Sequence, residues 1–137
     1  MSWITQAFIA MLSISSMVLI FKRLTQFDMK PEIINFFFFL FTTLAFLVLI
    51  LFKKTRIEIP TTAVPLFILI AIIAVVYNYF SISAIGAAPN PGYVEAIYSF
   101  RIVIILIASI FLFGSSITLT KMIGVVLCVI GLILVSL

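Results

Sequence analysis

The sequence predicts an all-α integral membrane protein of about five transmembrane helices, and three observations predict it. Of 137 residues, 66% are apolar and only 9% are charged, where a water-facing domain carries about a quarter charged residues. The apolar residues form uniform runs rather than period-two alternation, which argues against a β-barrel. Each run approaches the roughly 20 residues that cross a bilayer. Backbone amides in hydrocarbon must then pair within their own helix. The reading is one transmembrane domain over residues 1–137.

The first run, Trp3 to Phe21, lacks the basic leader and small-residue cleavage site of a secretory signal, so it reads as a retained helix. Lys22 and Arg23 end it, and a polar connection from Leu24 to Glu32 passes through Pro31. The second run, Ile33 to Phe52, contains the Phe36 to Phe39 cluster and is closed by Lys53, Lys54 and Arg56. The third starts near Thr61, tolerates Pro65 in its first turn or so and continues to about Ile85, where Gly86 suits a helix end. Asn90 has the chemistry of an N-cap and Pro91 that of a first helical residue, so a tight uncharged turn leads into a fourth helix, Gly92 to Phe113. The fifth spans about Leu119 to Leu137. Trp3 and Tyr93, near span ends, suit the membrane interface.

Net charge is +4, but the basic residues flank the apolar runs instead of clustering. That is the pattern of membrane-edge anchors, and it gives no reason to expect a nucleic-acid partner. With five spans, one side of the membrane carries Lys53, Lys54, Arg56 and Lys121, and the other carries Lys22, Arg23 and Lys30. A split of four to three gives almost no orientation preference under the positive-inside rule. Either the Lys53 to Arg56 cluster fixes its side in the cytoplasm, or the chain inserts both ways and pairs as an antiparallel homodimer.

There is no histidine, and the single cysteine, Cys128, lies inside the last run. An intrachain disulfide and a Cys/His metal site are therefore excluded, and no cofactor is expected. No phosphate-binding glycine-lysine motif occurs and no nucleophile has a base beside it, so neither enzymatic catalysis nor ATP-driven pumping is expected.

The stretch from Ser83 to Leu137 resembles the C-terminal part of an EamA domain, the repeat unit of drug/metabolite transporters. The resemblance rests on a third helix ending in a small-residue turn, a fourth closing at Phe113-Gly114, a short Ser/Thr connection, and Lys121-Met122-Ile123-Gly124 running on to Gly131. The chain departs from the family pattern at Ser115, where a glutamate is common, and at Asn35, where the second helix often begins near an arginine. Family transporters carry two such domains in inverted orientation, so the resemblance implies that two copies of this chain associate.

Arg101 is the most informative polar residue, because it falls roughly 13 Å along the fourth helix. A charge at that depth is expected to face a partner, a cavity or the bundle interior. Glu95, in the first turns of the same helix, suits either an interfacial cap or a proton-coupling site. Tyr98 and Ser99 share its face, while Arg101 lies about 120° around the helix from Glu95, which rules out a good direct pair within the helix. Tyr77, Asn78 and Ser81 form a second polar patch on the third helix, and Gln6, Ser13 and Ser16 fall near one line on the first. Asn78 equally suits interhelical hydrogen bonding, and for the serines packing is the better reading. Gly124, Cys128 and Gly131 give the last helix a small-residue face for close helix contact.

These features point to a secondary transporter or exchanger subunit that moves a small solute by alternating access as a dimer, in contact with membrane lipid. Arg101, Tyr98 and Asn78 are expected at the solute site, with Glu95, Ser99, Tyr77 and Gln6 as further candidates. A small multidrug resistance protein shares the half-size dimeric logic, but its first-helix glutamate is replaced here by nothing closer than Gln6. The rival reading is a non-transporting accessory or assembly subunit of a larger membrane complex.

Overall fold

The computed structural model describes residues 2–114 and 118–136, with the side chains of Lys121, Leu132, Val135 and Ser136 left aside. The Ser/Thr connection at 115–117, the side-chain charge of Lys121 and the end of the last helix at Leu137 lie outside the described residues. Every regular element among the described residues is a helix: α1 (Trp3–Thr25), α2 (Pro31–Lys53), α3 (Val64–Ala87), α4 (Pro91–Ser99), α5 (Arg101–Phe113) and α6 (Leu119–Ser136). Four stretches are long and apolar enough to cross a membrane, with α4 and α5 together forming the fourth, and α6 adds a shorter apolar segment, Met122–Gly131. An all-α membrane protein of about five spans is what the composition required. The helices group into two compact units, 1–87 and 88–137.

In the first unit α1, α2 and α3 pack against one another. Ser2 caps α1, its side chain accepting a hydrogen bond from the Thr5 amide at 3.2 Å. α2 begins two residues earlier than hydropathy suggests. Pro31 sits at its first position with φ already set for a helix, and Glu32 falls in the first turn, where the positive end of the helix dipole favours a carboxylate. The C-terminal end of α2 closes on Lys54 in the left-handed region (φ 51°), with Thr55 N–H donating to Ile50 O at 3.1 Å and Lys54 N–H to Leu51 O at 3.2 Å. This is a Schellman closure built without glycine. A single 3₁₀ turn, Thr61–Ala63, leads into α3, so Pro65 lies in the first α-helical turn and interrupts nothing.

Burial within this unit gathers at one end. Val18 and Phe21 near the end of α1, Ile34 near the start of α2, and Ser81, Ile82 and Ile85 near the end of α3 are buried, whereas the start of α1, the end of α2 and the start of α3 are exposed. The Phe21 ring meets Phe38 edge-on at 5.4 Å. At the same end Lys22 Nζ donates to Gly86 O at 2.9 Å, placing a cation on the carbonyl end of α3. A Cβ on Gly86 would stand 3.1 Å from Thr25 Cγ2. That threonine is held in turn, because its hydroxyl donates to Lys22 O at 2.8 Å.

In the second unit α4 packs against α6, and α5 ends on Gly114 in the left-handed region (φ 61°), its N–H donating to Ile110 O at 3.0 Å. Val94 is buried, while no described residue of α5 or α6 is. The expected single helix from Gly92 to Phe113 is divided here at Phe100. Phe100 N–H donates to Ile97 O and Val103 N–H to Phe100 O, both at 3.1 Å, so the turn tightens toward 3₁₀ geometry. Just before it, Ser99 Oγ donates to Glu95 O at 2.9 Å. A hydroxyl bonded back to the i−4 carbonyl commonly bends the helix that carries it.

Candidate functional site

Two polar regions stand out, one in each unit. In the second, Asn90 caps α4, its Oδ1 accepting from Gly92 N–H at 2.9 Å, and Pro91 takes the first helical position. The rigid start fixes where the following residues fall. Glu95, Tyr98 and Ser99 are half-buried on one face, and Arg101 follows directly after the division of the helix. Arg101 is ten residues into the 23-residue span Pro91–Phe113. That is about 15 Å along the axis, half the roughly 30 Å of hydrocarbon. The guanidinium is exposed and, among the described residues, makes no hydrogen bond or ion pair. Tyr98, one turn back, lies on the adjoining face.

In the first unit a groove of about 450 Å³ runs between α2 and α3. Its α2 wall is formed by Glu32, Asn35, Phe36, Phe39, Leu40 and Thr43, and its α3 wall by Val75 and Tyr79. The α2 positions recur at intervals of three and four, so they are one stripe, about 16 Å long, from the edge of the span to its middle. Its surface is overwhelmingly apolar, with polar atoms at Glu32 and Asn35 near the mouth, Tyr79 across from them and Thr43 at depth. Asn35 Oδ1 is shielded from solvent and has no hydrogen-bond partner.

A profile of the EamA-like transporter family matches residues 1–137, the whole chain. The chain belongs to the EamA-like transporter family. It is accordingly a multi-pass integral membrane protein of a transporter family, not of an enzyme family. No curated protein and no solved structure matches it.

Within this EamA-like chain, the residues singled out from sequence divide between the units. Glu95, Tyr98, Ser99 and Arg101 lie together on α4 and the first residue of α5. Gln6, Tyr77 and Asn78 belong to the first unit. Gln6 is exposed on α1, Tyr77 is exposed on α3, and Asn78 is half-buried with its Nδ2 donating to Ala74 O of the same helix at 2.9 Å. Ser13 and Ser16 likewise donate to Ile9 O at 2.8 Å and Leu12 O at 2.9 Å. The sequence reading did not find Glu32, Thr43 and Tyr79, and took Asn35 only as a departure from the family pattern. One signal was available: Pro31 followed by an acidic residue marks a helix start, which puts Glu32 and Asn35 on one face, three residues apart.

Proposed function

We propose that this EamA-like chain is one subunit of a dimeric secondary transporter or exchanger, which moves a small solute bearing an anionic group by alternating access. Arg101 carries the reading. A guanidinium exposed at mid-span costs several kcal/mol in hydrocarbon, so it is kept there by what it meets outside its own helix: a solute, a second subunit or both. Solute sites of secondary transporters lie near the bilayer midplane where helices are discontinuous, and Arg101 follows the interruption at Phe100. In this reading Arg101 binds the anionic group, Tyr98 and Ser99 line the site beside it, and Glu95 is the candidate proton carrier.

The test is counterflow in proteoliposomes against a panel of small carboxylate, phosphate and zwitterionic solutes. Wild type is expected to accumulate at least one of them, and Arg101→Ala to lose that uptake while keeping its helical circular dichroism and elution volume. An Arg101→Ala variant that transports every accepted solute at the wild-type rate removes Arg101 from the site. Copurification with a stoichiometric unrelated subunit, without self-association in lipid, would instead identify an accessory protein.

A further inference from the structure

We infer that the groove between α2 and α3 is a second binding site, separate in chemistry from Arg101, and that it takes an organic ammonium ion with an apolar body. Two acceptors on the α2 wall carry this inference, the exposed Glu32 carboxylate and the shielded Asn35 Oδ1. The Glu32 carboxylate forms no ion pair among the described residues, although basic side chains lie close in sequence. Two of them are engaged elsewhere, Lys22 on Gly86 O and Arg23 on Gln26 Oε1 at 2.9 Å with its guanidinium 5.1 Å over the Phe27 ring, while Lys30, two residues before Glu32, is exposed and forms no ion pair with it. One turn further along the same face, Asn35 Oδ1 is shielded and unpartnered. A shielded carbonyl without a donor is costly, and Asn35 itself lines the groove.

What such a mouth binds is a cation that also donates hydrogen bonds. A protonated primary amine supplies the charge for Glu32 and an N–H for Asn35 Oδ1. Beyond the mouth the walls are Phe36, Phe39, Leu40 and Val75, which suit an aromatic or aliphatic body and offer ring faces to the ammonium. The cavity of about 450 Å³ is within the usual range for small-molecule sites. An anion is disfavoured at the same place by the carboxylate, so the two polar regions select opposite charges. The occupant we assign is a free membrane-permeant amine, not the amine headgroup of a bilayer lipid.

The experiment is equilibrium binding of radiolabelled 2-phenylethylamine to the full chain in phosphatidylcholine nanodiscs, with empty nanodiscs giving the bilayer background. Saturable binding is expected, with 2-phenylethanol failing to compete. Glu32→Gln is expected to weaken binding roughly tenfold or more, as loss of a charge-assisted hydrogen bond does. Asn35→Leu should weaken the primary amine several-fold and leave the trimethylammonium analogue, which has no N–H to donate, unchanged. Leu40→Trp fills the groove and should abolish binding even if the Glu32 variant does not fold. Binding that is non-saturable, that 2-phenylethanol displaces, or that survives both Glu32→Gln and Leu40→Trp overturns the proposal. So does loss of amine binding when phosphatidylethanolamine replaces phosphatidylcholine, which would assign the groove to a lipid headgroup.

Discussion

The two units treat glycine in opposite ways. Gly86 in the first unit is wedged against Thr25, so that even a methyl group would press on it, while Gly124 and Gly131 in the second have nothing within 4 Å of where a Cβ would stand. The same contrast holds for polar groups. Lys22 is spent on a carbonyl of its own unit, whereas Arg101 is exposed at mid-span. The first unit keeps an internal core at one end, and the second displays its small-residue face and its central charge outward. A small residue or a charge in a membrane helix therefore has two different meanings, and hydropathy alone does not separate them.

The largest effect that can break this comparison is on transport. Arg101→Ala should lower solute uptake by roughly tenfold or more, the scale of losing a charged hydrogen bond, with little change in thermal stability because no hydrogen bond or ion pair among the described residues is removed. If uptake persists and the melting temperature falls, Arg101 is structural and the contrast collapses. Next comes the glycine pair. Gly86→Leu should destabilise the fold by about 1–3 kcal/mol through overpacking, read as a lower melting temperature in detergent, with Thr25→Ser expected to restore part of it. Gly124→Leu should leave the monomer's melting temperature unchanged and weaken self-association in lipid, measured by energy transfer between labelled copies.

A smaller loss is expected from Lys22→Met, about 1–2 kcal/mol, because the carbonyl end of α3 would lose a charged donor. Smallest is Ser99→Ala, which removes the hydroxyl bonded to Glu95 O and should relax the division at Phe100 at a cost within about 0.5 kcal/mol. Spin-label distances across Val94 and Ile105 read that change directly. A distance unchanged from wild type would mean that the tight turn does not depend on the serine.

The number of spans was legible because each is a long apolar run between charges, and bilayer thickness sets its length. The early start of α2 was legible too, from the same Pro-at-N1 logic that located α4 at Asn90-Pro91. It was missed because Glu32 reads as connection to a hydropathy scan. The division at Phe100 was not legible, since an aromatic between Ser99 and Arg101 carries no breaker signal. The groove hid for a different reason. In a helix apolar on all sides, the stripe from Glu32 to Thr43 has no polar opposite face to reveal it, so periodicity does not say which side packs on α3. The site residues on α4 and α5 were visible as sequence neighbours, but whether Arg101 turned inward or outward depended on packing that no local pattern records.

The hydroxyls of Ser13, Ser15, Ser16, Ser83 and Ser109 all donate to carbonyls three or four residues back in their own helices, at 2.8–2.9 Å. The spans that carry them, α1, α3 and α5, therefore enter the bilayer with those groups already quiet, needing no neighbour to neutralise them. Biosynthesis can release these helices sideways one at a time, in whatever order they emerge, and leave the choice of companions to a later, reversible search in the plane of the membrane.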